Sequence, residues 1–342
     1  MAYGKSIGIG FCLFCKAKGE CILRRVQQTS ASQLSVLIHH AKKSTTQLSL
    51  KEQFLEVIDL YPDIIAQDIL LEVADELDRM VALKSLKEMI YEWFATIVIQ
   101  NRRRTFGLKT SAQSYHMIFR GNPGTGKTTV ARLMGKLFHA LGVLARGHLI
   151  EVERADLVGE YIGHTAQRTR ELIRKAEGGI LFIDEAYALT RGGDKDFGRE
   201  AIDTLVKSME DLRHQFILIL AGYEAEMNMF LRANPGLPSR FPVVVTFPDY
   251  QLDELLDIAE RMSEAREYRL DRMARIKLSE IIRQEMEIRT RPFSNARFVR
   301  NVVERAIRRH AVRTVKTPAL SKDTLMTLKA EDFSQEGICH HD

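Results

Sequence analysis

GNPGTGKT, Gly121–Thr128, is the stretch on which the reading of this chain turns. It fits the spacing G-x-x-x-x-G-K-[ST] at every fixed position. Each residue type has a chemical reason. Gly121, Gly124 and Gly126 let successive backbone N–H groups turn inward around phosphate oxygens. Asn122, Pro123 and Thr125 fill out the loop, and Thr129 carries it into the next helix. Lys127 offers a cation to the outer phosphates of ATP, and Thr128 offers a hydroxyl to Mg²⁺. The context agrees. YHMIF (115–119) reads as a short apolar strand, and a helix is expected from about Lys127 to Leu141. That helix points its positive end at the same anion.

Downstream, GILFIDEA (179–186) is an apolar strand ending in two acids. Asp184 suits a Mg²⁺ shell, and Glu185 suits the polarising of an attacking water. Further strands are expected at 148–152, 215–222 and 243–247, with helices near 165–177 and 198–211 between them. Short apolar strands alternating with helices imply a parallel sheet covered on both faces. After Pro248 the pattern turns helical to about 316, with Leu252, Leu255, Leu256 and Ala259 on one apolar face and Val299, Val302, Val303 and Ala306 on another. That predicts a small all-helical lid. Before the sheet, 51–61 and 64–104 show helical spacing, opened by Ser49 with Glu52 as its capping partner. The expected division is an N-terminal extension over 1–50, a helical segment over 51–110, an α/β nucleotide-binding domain over 111–248, a helical lid over 249–332 and a tail over 333–342.

Composition excludes several classes. The 342 residues are 45% hydrophobic and 28% charged, the balance of an ordinary globular protein. No apolar run approaches the roughly 18 residues needed to span a membrane. Four cysteines, Cys12, Cys15, Cys21 and Cys339, sit near the chain ends and form no disulfide framework, which points to a reducing cytoplasm. One Cys-x-x-Cys without a second pair is weak as a zinc motif, and free thiols are the expected reading. SIGIGFCLFC (6–15) is too short and poorly flanked for a signal peptide.

Charge enters again with the arginines. Developing negative charge on a transferring phosphate needs a cation against it. Arg240, in NPGLPSRF (234–241), is the candidate finger, placed to reach a neighbour's nucleotide in a head-to-tail assembly. Arg297, in FSNARFVRN (293–301), is the candidate lid arginine acting on its own subunit's nucleotide. Tyr161-Ile162-Gly163 lies in LVGEYIGHTAQ (157–167), on the nucleotide side of the sheet. An aromatic, an aliphatic and a glycine there suit a mobile loop that grips an unfolded peptide in the pore of a ring. The bland alternative is that Tyr161 packs on its own domain.

Taken together, GNPGTGKTT, ERADLVGEYIGHTAQ, GGILFIDEAYAL, FILILAGY, NPGLPSRF and FSNARFVRN resemble the CbxX/CfxQ branch of AAA+ proteins, over roughly residues 75–332. Within it the motifs are nearest to the member carried by spore-forming bacteria. The resemblance implies a five-stranded parallel sheet of order 5-1-4-3-2, a helical lid, a homo-oligomer in the form of a hexamer, and a protein substrate. It also implies sporulation as the setting. Two departures bear on the site. The fourth strand ends in Ala221-Gly222-Tyr223, where many AAA+ proteins carry a water-orienting Asn. Ala82, in MVAL (80–83), stands where the branch usually has Gly beside the adenine.

Two other functions compete with a protein remodeller. The first is a nucleic-acid-dependent AAA+ ATPase of clamp-loader or helicase type. Residues 291–316 carry eight Arg or Lys against one acid, Glu304, and could meet phosphates. Only Phe293 and Phe298 supply aromatics there, so solvated lid charge is the expected use and nucleic acid is not an expected partner. The second is a nucleotide-sensing scaffold that hydrolyses poorly, against which Asp184 and Glu185 both count.

Overall fold

The computed structural model describes residues 34–36, 48–64, 66–110, 113–159, 161, 163–191, 197–213, 215–288, 292–317 and 320–333. Cys12, Cys15, Cys21, Cys339 and Ile162 lie outside the described residues. In chain order the elements are β1 (Leu34–Val36), α1 (Leu50–Leu60), α2 (Gln67–Arg79), α3 (Lys84–Thr105), β2 (Met117–Gly121), α4 (Lys127–Ala140), β3 (Leu149–Val152), α5 (Arg154–Leu157), α6 (His164–Ala176), β4 (Ile180–Ile183), α7 (Gly198–Asp211), β5 (Ile217–Gly222), α8 (Glu224–Ala233) and β6 (Val243–Phe247). The lid comprises α9 (Leu252–Glu264), β7 (Arg269–Leu270), α10 (Arg272–Glu287), α11 (Asn295–Thr314), α12 (Lys322–Met326) and β8 (Thr327–Leu328).

The main sheet runs β1-β6-β2-β5-β4-β3, all parallel. Its last five strands reproduce the order 5-1-4-3-2 that the family resemblance implies. The sixth is an addition: Leu34–Val36, inside the expected N-terminal extension, pairs with Val243–Val245 and covers that edge. Sequence alone gives three residues in a Ser/Gln-rich stretch little periodicity to read.

Both faces of the sheet are buried, as a parallel sheet requires. Phe119, Phe182 and Ile219 face one way, into an apolar cluster shared with α1, α3 and α4. Ile118, Leu181 and Leu220 face the other way, toward α6, α7 and α8. Helices α1–α3 have no core of their own, because Phe54, Phe94 and Trp93 belong to the first of these clusters. Ser49 caps α1 with Glu52 in the reciprocal arrangement its sequence predicts. The expected helix pair over 64–104 is broken at Met80–Leu83, where Ala82 and Leu83 take φ values of +61° and +59°. The lid has a separate core of Leu255, Leu278, Ile282, Val299, Val303 and Leu328. Its end is pinned by Arg313, whose Nε and Nη2 donate to the buried Asp332 carboxylate at 3.0 and 2.9 Å.

Candidate nucleotide site

Because β2 runs straight into the phosphate loop, Gly121 is both its last residue and the first of the motif. It takes φ +152°, and a Cβ there would meet the Phe247 carbonyl oxygen at 2.3 Å. Gly124, at φ +70°, has no room either: a Cβ would lie 2.3 Å from Ser294 O and 2.7 Å from Arg297 N. Gly121 thus lets the loop lie against β6, and Gly124 lets the lid close onto the loop. Lys127 opens α4, and its ammonium donates to the carbonyls of Gly121 at 2.7 Å and Asn122 at 2.8 Å. Burial pulls its pKa below the ordinary lysine value, with Asp184 opposing that shift and Arg297 reinforcing it.

β4 delivers the acids. Asp184 continues the ladder through its N–H to Val152 O at 3.0 Å, and its carboxylate accepts from Glu185 N at 2.9 Å. Glu185 is exposed and held at φ +45°, a left-handed conformation that costs a non-glycine residue about 1–2 kcal/mol. Such strain persists only where the surroundings enforce it. Here the enforcing contacts are the Asp184 carboxylate and the turn closed by Ala188 N to Glu185 O at 2.7 Å.

These groups meet in one cleft of about 540 Å³. Lys127, Thr128, Thr129, Asp184, Glu185 and Arg297 all line it. Met80, Val81, Ile258 and Met262 form its apolar end, where a flat base would lie. The donor set fits Mg²⁺: a threonine hydroxyl and a carboxylate are hard oxygen ligands, and a further acid, Glu151 on β3, sits 3.4 Å from Thr128 Oγ1.

Several residues in or beside the cleft were given no role by sequence reasoning. Tyr187 and Tyr223 stack at 5.9 Å beside Glu185, at the point where the expected asparagine is lacking. Burial pushes both phenols up, and the Glu185 charge adds to it. Tyr250 donates from its hydroxyl to Thr125 O at 3.1 Å, and burial pushes its phenol up to about 12. Asp249 accepts from Asn122 Nδ2 at 2.9 Å on each oxygen and from Asn295 Nδ2 at 2.7 Å. Asn295 lies within the quoted FSNARFVRN, but nothing in its spacing distinguished it from a helix start.

Arg240 is not in this cleft. It precedes β6 at the opposite end of the sheet, where it donates to Gly236 O at 2.7 Å and pairs with Glu210 of α7. Tyr161 is 65% exposed, with its ring edge-on to His164 at 5.4 Å. Gly163 closes the same loop as the N-cap of α6 at φ +83°. Among the described residues, no helix is long and apolar enough to cross a membrane.

Comparison with known proteins bears on this geometry. The family described as "ATPase family associated with various cellular activities (AAA)" matches residues 117–249, and "AAA lid domain" matches 251–337. The chain is 50% identical over 313 residues to Stage V sporulation protein K of Bacillus subtilis, covering 91% of this chain and 96% of that one. It is 46% identical over 267 residues to the chromosomal Protein CbxX of Cupriavidus necator, covering 77% and 83%. A chloroplastic ribulose bisphosphate carboxylase/oxygenase activase of Cyanidioschyzon merolae is 45% identical over 267 residues, covering 77% and 90%.

Proposed function

The chain belongs to the AAA+ ATPase family, in its CbxX/CfxQ branch, and on that premise we propose that it hydrolyses ATP to remodel a protein substrate. One observation carries the reading: a single cleft gathers Lys127, Thr128, Asp184, Glu185 and Arg297 beside a phosphate loop. The loop amides and the Lys127 ammonium hold the triphosphate. Thr128 and Asp184 hold Mg²⁺, which supplies neutralisation of phosphate charge when bound. Glu185 accepts the proton of the attacking water from a position at the cleft mouth. Arg297 meets the terminal phosphate from the lid of the same subunit, and Arg240 meets that of a neighbour.

Arg240 lies away from its own cleft, so its role requires a head-to-tail assembly, a ring or a helix, and by family resemblance a hexameric ring. In that ring Tyr161, Ile162 and Gly163 line the pore and grip an extended peptide. The high exposure of Tyr161 favours this over packing on its own domain. The name of one relative, an activase of an enzyme, favours a protein substrate over nucleic acid, and that of another, a sporulation protein, favours sporulation as the setting. The test is ATPase activity of the purified protein with and without DNA, RNA and cell-extract protein, followed by capture of partners on Glu185→Gln. Stimulation by protein and trapping of one polypeptide are expected. Stimulation by nucleic acid alone would overturn the remodelling reading.

A further inference from the structure

We propose that Asp249 is a positioning residue for hydrolysis, the joint through which the phosphate loop sets the place of Arg297. The proposal rests on the ATPase reading above. Asp249 lies just after β6, where the sheet domain hands over to the lid. Its carboxylate receives an amide from each side. Asn122 of the loop donates to both oxygens at 2.9 Å, and Asn295 of the lid donates to Oδ1 at 2.7 Å. Among the described residues no cation stands within ion-pair distance of it. Its charge acts on Lys127 through space and at hydrogen-bond range serves the two amides, and hydrogen bonds to an ionised acceptor are about twice as strong as neutral ones.

Asn295 shows that the joint is built for geometry. It is fully buried at φ +48°, a left-handed conformation that asparagine tolerates better than most residues. Its Oδ1 accepts from Tyr250 N at 2.9 Å, and its Nδ2 also approaches Pro123 O at 3.3 Å. Asn295 is thus bonded to the junction on one side and to the phosphate loop on the other. It is also the first residue of α11, and Arg297 is on the same turn. Ala296 N donates to Gly124 O at 3.2 Å, and the absence of a Cβ at Gly124 is what allows that approach. A shift of the loop by a fraction of an ångström is therefore passed to Arg297 through side chains that have no slack. Asparagine at 249 would break the joint without changing its size. An amide keeps one oxygen for both donors but loses the charge, and its own N–H₂ would face the Asn122 N–H₂ where Oδ2 now accepts at 2.9 Å.

The test is a double-mutant cycle in the full chain, reading kcat and KM for ATP together with the affinity for a fluorescent ATP analogue. Asp249→Asn is expected to lower kcat about tenfold while the analogue's Kd changes less than about threefold. In an Arg297→Ala background the same substitution is expected to change kcat less than about twofold, since the residue it positions is gone. Equal losses in both backgrounds, or a loss confined to Kd, would overturn the proposal. Hydrogen exchange gives a readout independent of turnover. A non-hydrolysable ATP analogue should protect amides 295–300 in the wild type and not in Asp249→Asn, and equal protection in both overturns the proposal. If the wild type binds the analogue but hydrolyses no ATP, the ATPase reading falls while the exchange arm still decides the role of Asp249. Should Asp249→Asn fail to fold by circular dichroism, Asn122→Ala attacks the same joint from the loop side and is read by the same cycle.

Discussion

In the proposed mechanism Lys127 and Glu185 divide binding from turnover, so their variants should fail in different ways. Lys127→Ala removes the one cation that the loop itself holds against the phosphates, and nucleotide affinity measured by calorimetry should fall below detection. Glu185→Gln keeps the shape but cannot take a proton, so affinity should persist while steady-state hydrolysis stops. Hydrolysis at the wild-type rate by the Gln variant would remove Glu185 from the role of base. The pKa of Lys127 adds a pH expectation. Burial lowers it, so the folded lysine loses its proton at a lower pH than the unfolded one. Across that window the unfolded chain binds more protons, and stability contributed by this group rises with pH rather than falling. Affinity moves the other way: ATP binding should weaken on the alkaline side before an ordinary lysine would titrate. Affinity followed across pH, with the binding enthalpy measured in two buffers of different ionisation enthalpy to count the protons exchanged, checks this. At this scale the phosphate loop, Asp184 and Glu185 were legible, because each is a residue type required at a fixed local spacing. Asp249, Asn295 and Tyr250 were not, since their partners in the loop are far away in sequence and no short pattern encodes that meeting.

Among elements, the strands were readable because each is a short apolar run and two faces must be buried. β6 and α7 fall on their expected residues, the other expected core elements differ by one or two residues at their ends, the ordinary uncertainty of a frayed terminus, and α5 and α8 were not expected. The break between α2 and α3 was harder. Met80, Val81 and Leu83 continue the apolar pattern of a helix, yet two successive left-handed residues turn the chain there and bring Met80 and Val81 to the nucleotide cleft. Ala82 makes a turn for which glycine has no Cβ penalty. Ala82→Gly should relieve about 1–2 kcal/mol of that strain and return about 0.4–1 kcal/mol through a freer unfolded chain. The net expectation is a gain of roughly 0.5 kcal/mol, seen as a higher urea midpoint at unchanged slope. A lower midpoint would mean that the alanine methyl contributes packing worth more than the turn costs.

Whole-molecule behaviour depends on contacts between copies, and it is where sequence motifs say least about geometry. Arg240→Ala should stop turnover with ATP binding intact. Mixing it with Lys127→Ala should restore some activity, because some interfaces then pair an intact finger with an intact pocket. Mixed assemblies, confirmed by light scattering, that stay inactive would remove the trans assignment. Tyr161→Ala should keep assembly and basal hydrolysis and lose work on the protein substrate. Failure of that variant to assemble would favour a packing role instead. Glu185 has a different consequence for the protein as a whole. Its backbone is held at φ +45°, so a glycine at that position is expected to make the fold more heat-resistant and to remove the proposed base. A laboratory lineage selected for survival at high temperature alone would therefore tend to lose the glutamate, and its hardiest descendants would be the ones that no longer turn over.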